Sequence, residues 1–263
     1  MLEFRPAPVP FRKKLGVELL RRSDRDQECP ADSLGGLRIL ITDACSEAGR
    51  ATAVRLAAHG AHLVLVAPRG DHLVSVCDQI IGTGGFARWY RCDLSALGDV
   101  DQLVRWVLTE FGTIDVLVNN AGRPPRRPLA QSTNRFRDYQ RMMAANYFGP
   151  LRLTLGLLPA MLQSGSGQVV NVGPGSDATP HLASYAAAQA AWTTFGECTD
   201  TELAPHGIQV STVESPAPAA ARAIEAAIRA HPDRVEPRVA RTLRGRIKRS
   251  TPPEFRWGAA KSR

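Results

Sequence analysis

The chain has 263 residues, 44% of them apolar, with 33 Lys and Arg against 25 Asp and Glu for a net charge of +8. That length and composition suffice for one sizeable buried core, and a single α/β domain is the first expectation. No stretch of 18 consecutive apolar residues and no signal-length apolar run near Met1 occurs, so a cytoplasmic protein is expected rather than a secreted or membrane-spanning one.

The charge is unevenly spread. Residues 234–263 hold ten Lys/Arg and two acids, a charge of +8 by themselves, while 1–33 carry +1 and the rest −1. This basic tail reads as a solvated end; the alternatives are a strip docking on an anionic membrane surface, on nucleic acid, or on an acidic partner. It lacks the interleaved aromatics that stack bases, which counts against nucleic acid. Cys29, Cys45, Cys77, Cys92 and Cys198 are scattered, with no CxxC pair, and read as idle thiols of a reducing compartment rather than metal ligands.

Residues 1–33 form a charged, Pro-rich extension in which Phe11, Leu15 and Leu19 share one helical stripe, either a loosely packed arm or a short interfacial helix. From Leu34 strands and helices alternate. Strands are predicted over Leu37–Ile41, His62–Val66, Phe86–Tyr90, Ile114–Val118, Gln168–Val172 and Ile208–Val213. Helices are predicted over Gly49–His59, Asp71–Ile81, Leu97–Phe111, Gln140–Leu162 and Ser184–Leu203. Short apolar runs alternating with helices imply a doubly wound parallel sheet in one domain over residues 34–233, a three-layer α/β/α arrangement.

The motifs lie at the ends of those strands. After the first comes Thr42-Asp43-Ala44-Cys45-Ser46-Glu47-Ala48-Gly49; after the second, Ala67-Pro68-Arg69; after the third, Asp93-Leu94; after the fourth, Asn119-Asn120-Ala121-Gly122. Asn146 stands inside the long helix, where asparagine is mildly unfavourable and needs a partner. Beyond the fifth strand a small-residue loop leads to Tyr185, with Gln189 one turn later on the same face. In an open α/β sheet such loops meet at the carboxyl edge, where ligands bind.

These residues over Leu34–Pro216 resemble the short-chain dehydrogenase/reductase family, with a Rossmann-type fold. The run from Asn119 through Met161 is most similar to reductase domains of mycobacterial fatty acyl-CoA reductases and their ketoacyl-reductase-like kin. The resemblance implies that Thr42, Asp43, Glu47 and Gly49 occupy the dinucleotide loop, with Arg69, Asp93, Asn119, Ala121 and Gly122 also at the cofactor. It further implies Tyr185 as proton donor and Asn146 as holder of a relay water. NADP is favoured over NAD, because Arg69 suits a 2′-phosphate and no acid follows the second strand.

The pattern also departs from the family at four places. Two loop glycines are replaced by Asp43 and Glu47, and a like-charge contact near 4 Å costs on the order of 1–4 kcal/mol against a pyrophosphate. The family's Lys is Gln189, which is neutral and cannot stabilise a phenolate. The family's Ser falls at Gly173 or Pro174, with Ser176 as a displaced substitute, and the substrate lid is shortened near residues 214–220. The leading expectation is therefore a catalytically degenerate family member that binds a partner or oligomerises, with itself or with a related chain. The alternative is an atypical NADP-dependent reductase of long-chain acyl, aldehyde or other carbonyl substrates using Tyr185, Asn146 and Gln189.

Overall fold

The computed structural model describes residues 34–120, 122, 127–173, 180–215 and 217–230. The charged extension and basic tail, Ala121, and the loop that carries Pro174 and Ser176 lie outside these residues.

Six strands form one sheet in the order β3-β2-β1-β4-β5-β6, every neighbouring pair parallel. They are β1 (Arg38–Ile41), β2 (His62–Ala67), β3 (Phe86–Arg91), β4 (Val116–Asn120), β5 (Gly167–Gly173) and β6 (Ile208–Glu214). The helices are α1 (Glu47–Ala58), α2 (Gly70–Gly82), α3 (Leu97–Phe111), α4 (Phe136–Met143), α5 (Gly149–Ser164), α6 (Ala183–Leu203) and α7 (Ala217–Arg229). The predicted doubly wound sheet is the observed one. Strands buried on both faces, such as β4 and β5, read as near-continuous apolar runs for this reason.

Two cores lie on opposite sides of the sheet. One packs α1, α2 and α7 through Leu56, Leu73, Ile80 and Ile224; the other packs α3 and α5 through Leu103, Leu153 and Leu157. The strand order reverses between β1 and β4, so the loops after these two strands flank the crevice where a ligand of such a sheet binds.

Three of the differences from the sequence reading bear on the site. The fourth strand is shifted two residues on, from Ile114–Val118 to Val116–Asn120, so both asparagines belong to the ladder rather than following it. Arg38 holds the strand's entrance, its guanidinium gripping both carboxylate oxygens of Asp115 at 2.9 and 3.0 Å. At the far end Thr42 Oγ1 accepts from the Asn120 N–H at 2.9 Å and keeps the strand extended. The predicted helix Gln140–Leu162 begins at Phe136 and is broken into α4 and α5 by one π turn, Ala144–Phe148. Asn146 causes the break in regularity: its Nδ2 donates to the Met142 carbonyl at 3.0 Å, competing with the helix ladder. Finally, α1 begins at Glu47 rather than Gly49, capped by Ser46.

Only Ser215 and Pro216 separate β6 from α7, which leaves no room there for a lid. Instead α7 lies along α1, where its buried Glu225 engages Arg55 and His59 and, on its own helix, Arg229.

Candidate functional site

The turn after β1 builds the first half of the site. Asp43 has φ 46°, the left-handed region that glycine normally fills and that aspartate tolerates better than most residues. The glycine-type bend therefore survives the substitution. The Asp43 carbonyl accepts from Ser46 Oγ at 2.8 Å and from Asn120 Nδ2 at 3.3 Å, and Ser46 Oγ also accepts from the Gly49 N–H at 3.1 Å. Thr42, fully buried, ties the same turn to β4 through the Asn120 carbonyl at 3.1 Å. One hydroxyl network thus fixes Thr42, Asp43, Ser46 and Asn120 together.

Glu47 is the first residue of α1, where a carboxylate complements the helix dipole. It competes with any ligand phosphate for the same favourable position. Behind this turn is a cavity of about 450 Å³ lined by Asp43, Cys45, Ser46 and Glu47, by Ala67, Pro68 and Arg69 at the end of β2, and by Gly122 beyond β4. The structure so brings together Asp43, Glu47, Arg69 and Gly122 among the residues assigned to the cofactor. Gly49 lies beneath the turn rather than in the cavity. Asp93 does not line it either; its Oδ1 accepts from the Ser95 N–H and hydroxyl at 2.9 and 2.7 Å, a local turn at the end of β3. Asn119 points into the interior, its Nδ2 donating to Asn171 Oδ1 at 3.2 Å and Thr154 Oγ1 at 3.3 Å, a bracing role between β4, β5 and α5.

The second half of the site is the start of α6. Tyr185 is 7% exposed and Gln189, one turn on, 5% exposed, so both are buried at the start of α6. Burial, and then the carboxylate of Asp43, push the phenol above its usual value, with the Gln189 amide acting in the opposite sense. Gln189 Nε2 itself completes no hydrogen bond of ordinary geometry, and neither does Asn146 Oδ1, although both are buried. Neither Tyr185 nor Gln189 lines the cavity of the first half.

Sequence reasoning missed Ser46 and Cys45. Ser46 carries a legible signal, a serine immediately before an acidic first turn, which marks a helix N-cap. Cys45 is half-buried in the cavity wall, and burial, then Asp43, raise its thiol while Arg69 opposes them. Among the described residues no group of His, Cys, Asp and Glu is arranged to hold a metal ion, and no helix is long and apolar enough to cross a membrane.

The family model described as short chain dehydrogenase matches residues 38–227. A fatty acyl-CoA reductase of Mycobacterium tuberculosis is 43% identical over 190 residues, covering 71% of this chain and 64% of that protein. A fatty acyl-CoA reductase of Acinetobacter baylyi is 38% identical over 188 residues, covering 70% of this chain and 63% of that one. The chain therefore spans just under two thirds of the length of these relatives. Among solved structures, a metagenomic short-chain oxidoreductase in complex with NADP is similar, with TM-score 0.67 and 28% identity, covering 73% of this chain and 90% of that one. A short-chain dehydrogenase from Streptomyces avermitilis gives TM-score 0.63 at 34% identity, covering 69% and 66%.

Proposed function

The chain belongs to the short-chain dehydrogenase family, and from that premise we propose that it is a nicotinamide-dependent reductase of long-chain acyl or aldehyde carbonyls, with Tyr185 as its proton donor. The observation that carries this reading is the α6 site. A buried phenol stands one turn from Gln189, whose side-chain hydrogen bond opposes the burial that holds its proton. A reduction needs a phenol that gives up a proton only in the transition state, and this one is protonated at neutral pH.

The residues present fit a dinucleotide. The turn keeps its left-handed bend at Asp43, Arg69 offers a cation for a 2′-phosphate, which makes NADP the preferred form, and the cavity has room for a nucleoside. Asp43 and Glu47 weaken the fit at the pyrophosphate by an electrostatic cost on the order of 1–4 kcal/mol. Bound there, a reduced nicotinamide supplies the hydride. Tyr185 hydrogen-bonds to the carbonyl oxygen and passes it a proton; Gln189 is available to a ribose hydroxyl and Asn146 to a water that restores the phenol. The two fatty acyl-CoA reductases among the relatives support the long-chain substrate class.

A second reading rests on Gln189 and on the two-residue passage from β6 to α7: the fold persists as a binding or oligomerising body without turnover. Titration with NADPH and NADH, followed by cofactor fluorescence or heat, separates the two. Micromolar binding together with consumption of NADPH on a long-chain aldehyde or acyl thioester supports the reductase. A folded protein that binds neither dinucleotide at millimolar concentration has no hydride donor, and the second reading then stands.

A further inference from the structure

We propose that residues 127–141, the loop and short helix beside the start of α6, form a docking surface for an anionic lipid–water interface. The inference deepens the reductase reading, on which it rests for its purpose, since a long-chain carbonyl is itself held in such an interface. The surface and its test do not depend on turnover.

Leu129 and Phe136 are 68% and 71% exposed, more than any other large apolar side chain among the described residues, and both lie on this one excursion of the chain. Its neck is closed where Arg127 and Arg135 both hold the Asp138 carboxylate, Arg135 at 2.9 Å. Within the neck, the Ser132 hydroxyl donates to the Pro128 carbonyl at 3.2 Å, and the Arg135 N–H donates to the Ser132 carbonyl at 3.0 Å. Polar contacts therefore shape the excursion, and neither Leu129 nor Phe136 belongs to the core on either side of the sheet. One exposed leucine or phenylalanine is ordinary. The two most exposed of them held on one built loop call for an occupant.

Charge selects that occupant. Residues 127–141 hold four arginines against one acid, whereas the rest of residues 34–233 holds twelve against sixteen. The loop is a cationic spot on an otherwise acidic domain, and the resulting field turns this face toward a negative surface. Arg137 and Arg141 are exposed on α4 and have no acid partner among the described residues. Guanidinium groups at headgroup level, with a leucine and a phenylalanine inserted beside them, suit an anionic bilayer, which needs no groove of matching shape. An acidic protein would meet the arginines equally well, but it gains from Leu129 and Phe136 only if it offers them a pocket. The loop is also tied to the site. The Arg127 N–H donates to the His181 carbonyl at 2.9 Å, two residues before α6 begins, and α4 packs against α6. Docking here brings the start of α6, with Tyr185, to the surface that holds a long-chain substrate.

The test uses the full chain and vesicles of phosphatidylcholine, alone or mixed in equal parts with phosphatidylglycerol. Binding is read by co-sedimentation and located by hydrogen exchange, which separates this loop from the basic tail. The expected result is that the mixed vesicles bind the chain and slow amide exchange across residues 127–141, while phosphatidylcholine alone does neither. Phe136→Ser lowers the binding about tenfold, the share of one buried aromatic side chain. Arg137→Gln and Arg141→Gln each lower it about fivefold. Circular dichroism checks folding, and Leu129→Ser serves as a second variant should Phe136→Ser fold poorly. Protection confined to residues 234–263, or binding indifferent to both Phe136→Ser and Leu129→Ser, overturns the proposal. So does equal protection of the loop by soluble polyglutamate, and the occupant is then an acidic protein. Vesicle docking by a chain that binds neither NADPH nor NADH upholds the surface and removes the reductase reading. Consumption of NADPH on a water-soluble aldehyde without vesicle docking does the reverse.

Discussion

A Cβ placed on Gly49 would collide with the carbonyl oxygen of Asp43 and come within 2.8 Å of Ala44 Cα. Of the three glycine positions in the first turn, this one alone retains glycine, and the reason is steric. The helix start lies directly against the backbone of the turn, so a side chain has nowhere to go. On helix propensity alone Gly49→Ala would gain about 1 kcal/mol. The collision is with backbone, and we expect a net loss of about 1–3 kcal/mol, as for other overpacked sites. At about 2–4 °C per kcal/mol for a domain of this size, thermal unfolding followed by circular dichroism resolves it. An unchanged or raised midpoint would show that the turn relaxes.

The same turn marks how far the sequence could be read. Strand and helix order, and the doubly wound sheet, follow from periodicity, because parallel strands buried on both faces are short continuous apolar runs. Asp43, Glu47, Arg69 and Gly122 meet around one cavity because each follows a strand's carboxyl end; a role toward a cofactor is implied for them by the resemblance alone. What could not be read was conformation and field. Nothing in the letter Asp43 says that it adopts φ 46° or acts on a tyrosine 142 positions later in the chain. The π turn at Asn146 was invisible because the same residues also satisfy an α-helical period. Glu225 was missed because a lone acid in an Ala-rich helix looks solvated until α7 is laid on α1.

Glu225 predicts an acid-dependent stability. Burial by itself would raise its carboxyl, yet hydrogen bonds from Arg229 and Arg55, with the charges of Arg55 and His59, bring it below the ordinary value of 4.5. A depressed carboxyl stabilises the fold above the unfolded-state value, and the contribution disappears as pH falls through the lower folded-state value. Glu225→Gln therefore costs about 1–3 kcal/mol near neutral pH, the range for hydrogen bonds to charged groups. In urea unfolding curves, the gap between wild type and variant should hold from pH 7 down to about 4.5 and close below it. A gap that is constant with pH would mean that Glu225 contributes shape and not charge.

Thiol reactivity should differ sharply along the chain. Burial, with the nearby Asp99 and Asp93, pushes the Cys92 thiol up to about 12, and Cys77 is also buried and raised. Cys198 is exposed. Because the thiolate is the reactive form, an alkylating reagent at pH 7 should modify Cys198 first and leave Cys92 untouched in the folded protein. Peptide mapping after a short exposure checks this order. Early labelling of Cys92 in folded protein would contradict its place in the core between the sheet and α3.

A stripe running from the end of the π turn along α5 predicts self-association. Phe148, Leu155 and Leu162 recur every seven residues and are 49%, 51% and 39% exposed, an apolar seam about 21 Å long. The spacing is symmetric about Leu155. In an antiparallel pairing with a second copy, Leu155 meets its equivalent while Phe148 meets Leu162. The charged pair beside the seam, Arg152 and Asp101 at 2.7 Å, is mutually neutralised and does not repel a partner. We expect a dimer or larger even assembly by light scattering, and Leu155→Glu to dissociate it by setting two carboxylates across the axis. A wild type that is monomeric at every concentration rules this out.

Substituting the cation at α6 is the most direct trial of the chemistry. Gln189→Lys places an ammonium beside Tyr185 and in reach of the Asp43 field, where opposite charge offsets part of its burial. Three effects should appear together. The Tyr185 midpoint falls because a neighbouring cation favours the phenolate. NADPH binds more tightly, since a positive charge is added near a polyanion. The carbonyl-reducing rate at neutral pH rises, because a more acidic phenol is the better proton donor. Tyr185→Phe in the same background should cut that rate by about 10²–10⁴-fold, the usual share of a positioned general acid. If Gln189→Lys shifts the phenol and tightens NADPH without any carbonyl being reduced, the deficit lies elsewhere. The two-residue passage from Glu214 to Ala217, too short to carry a lid there, would then be the remaining cause.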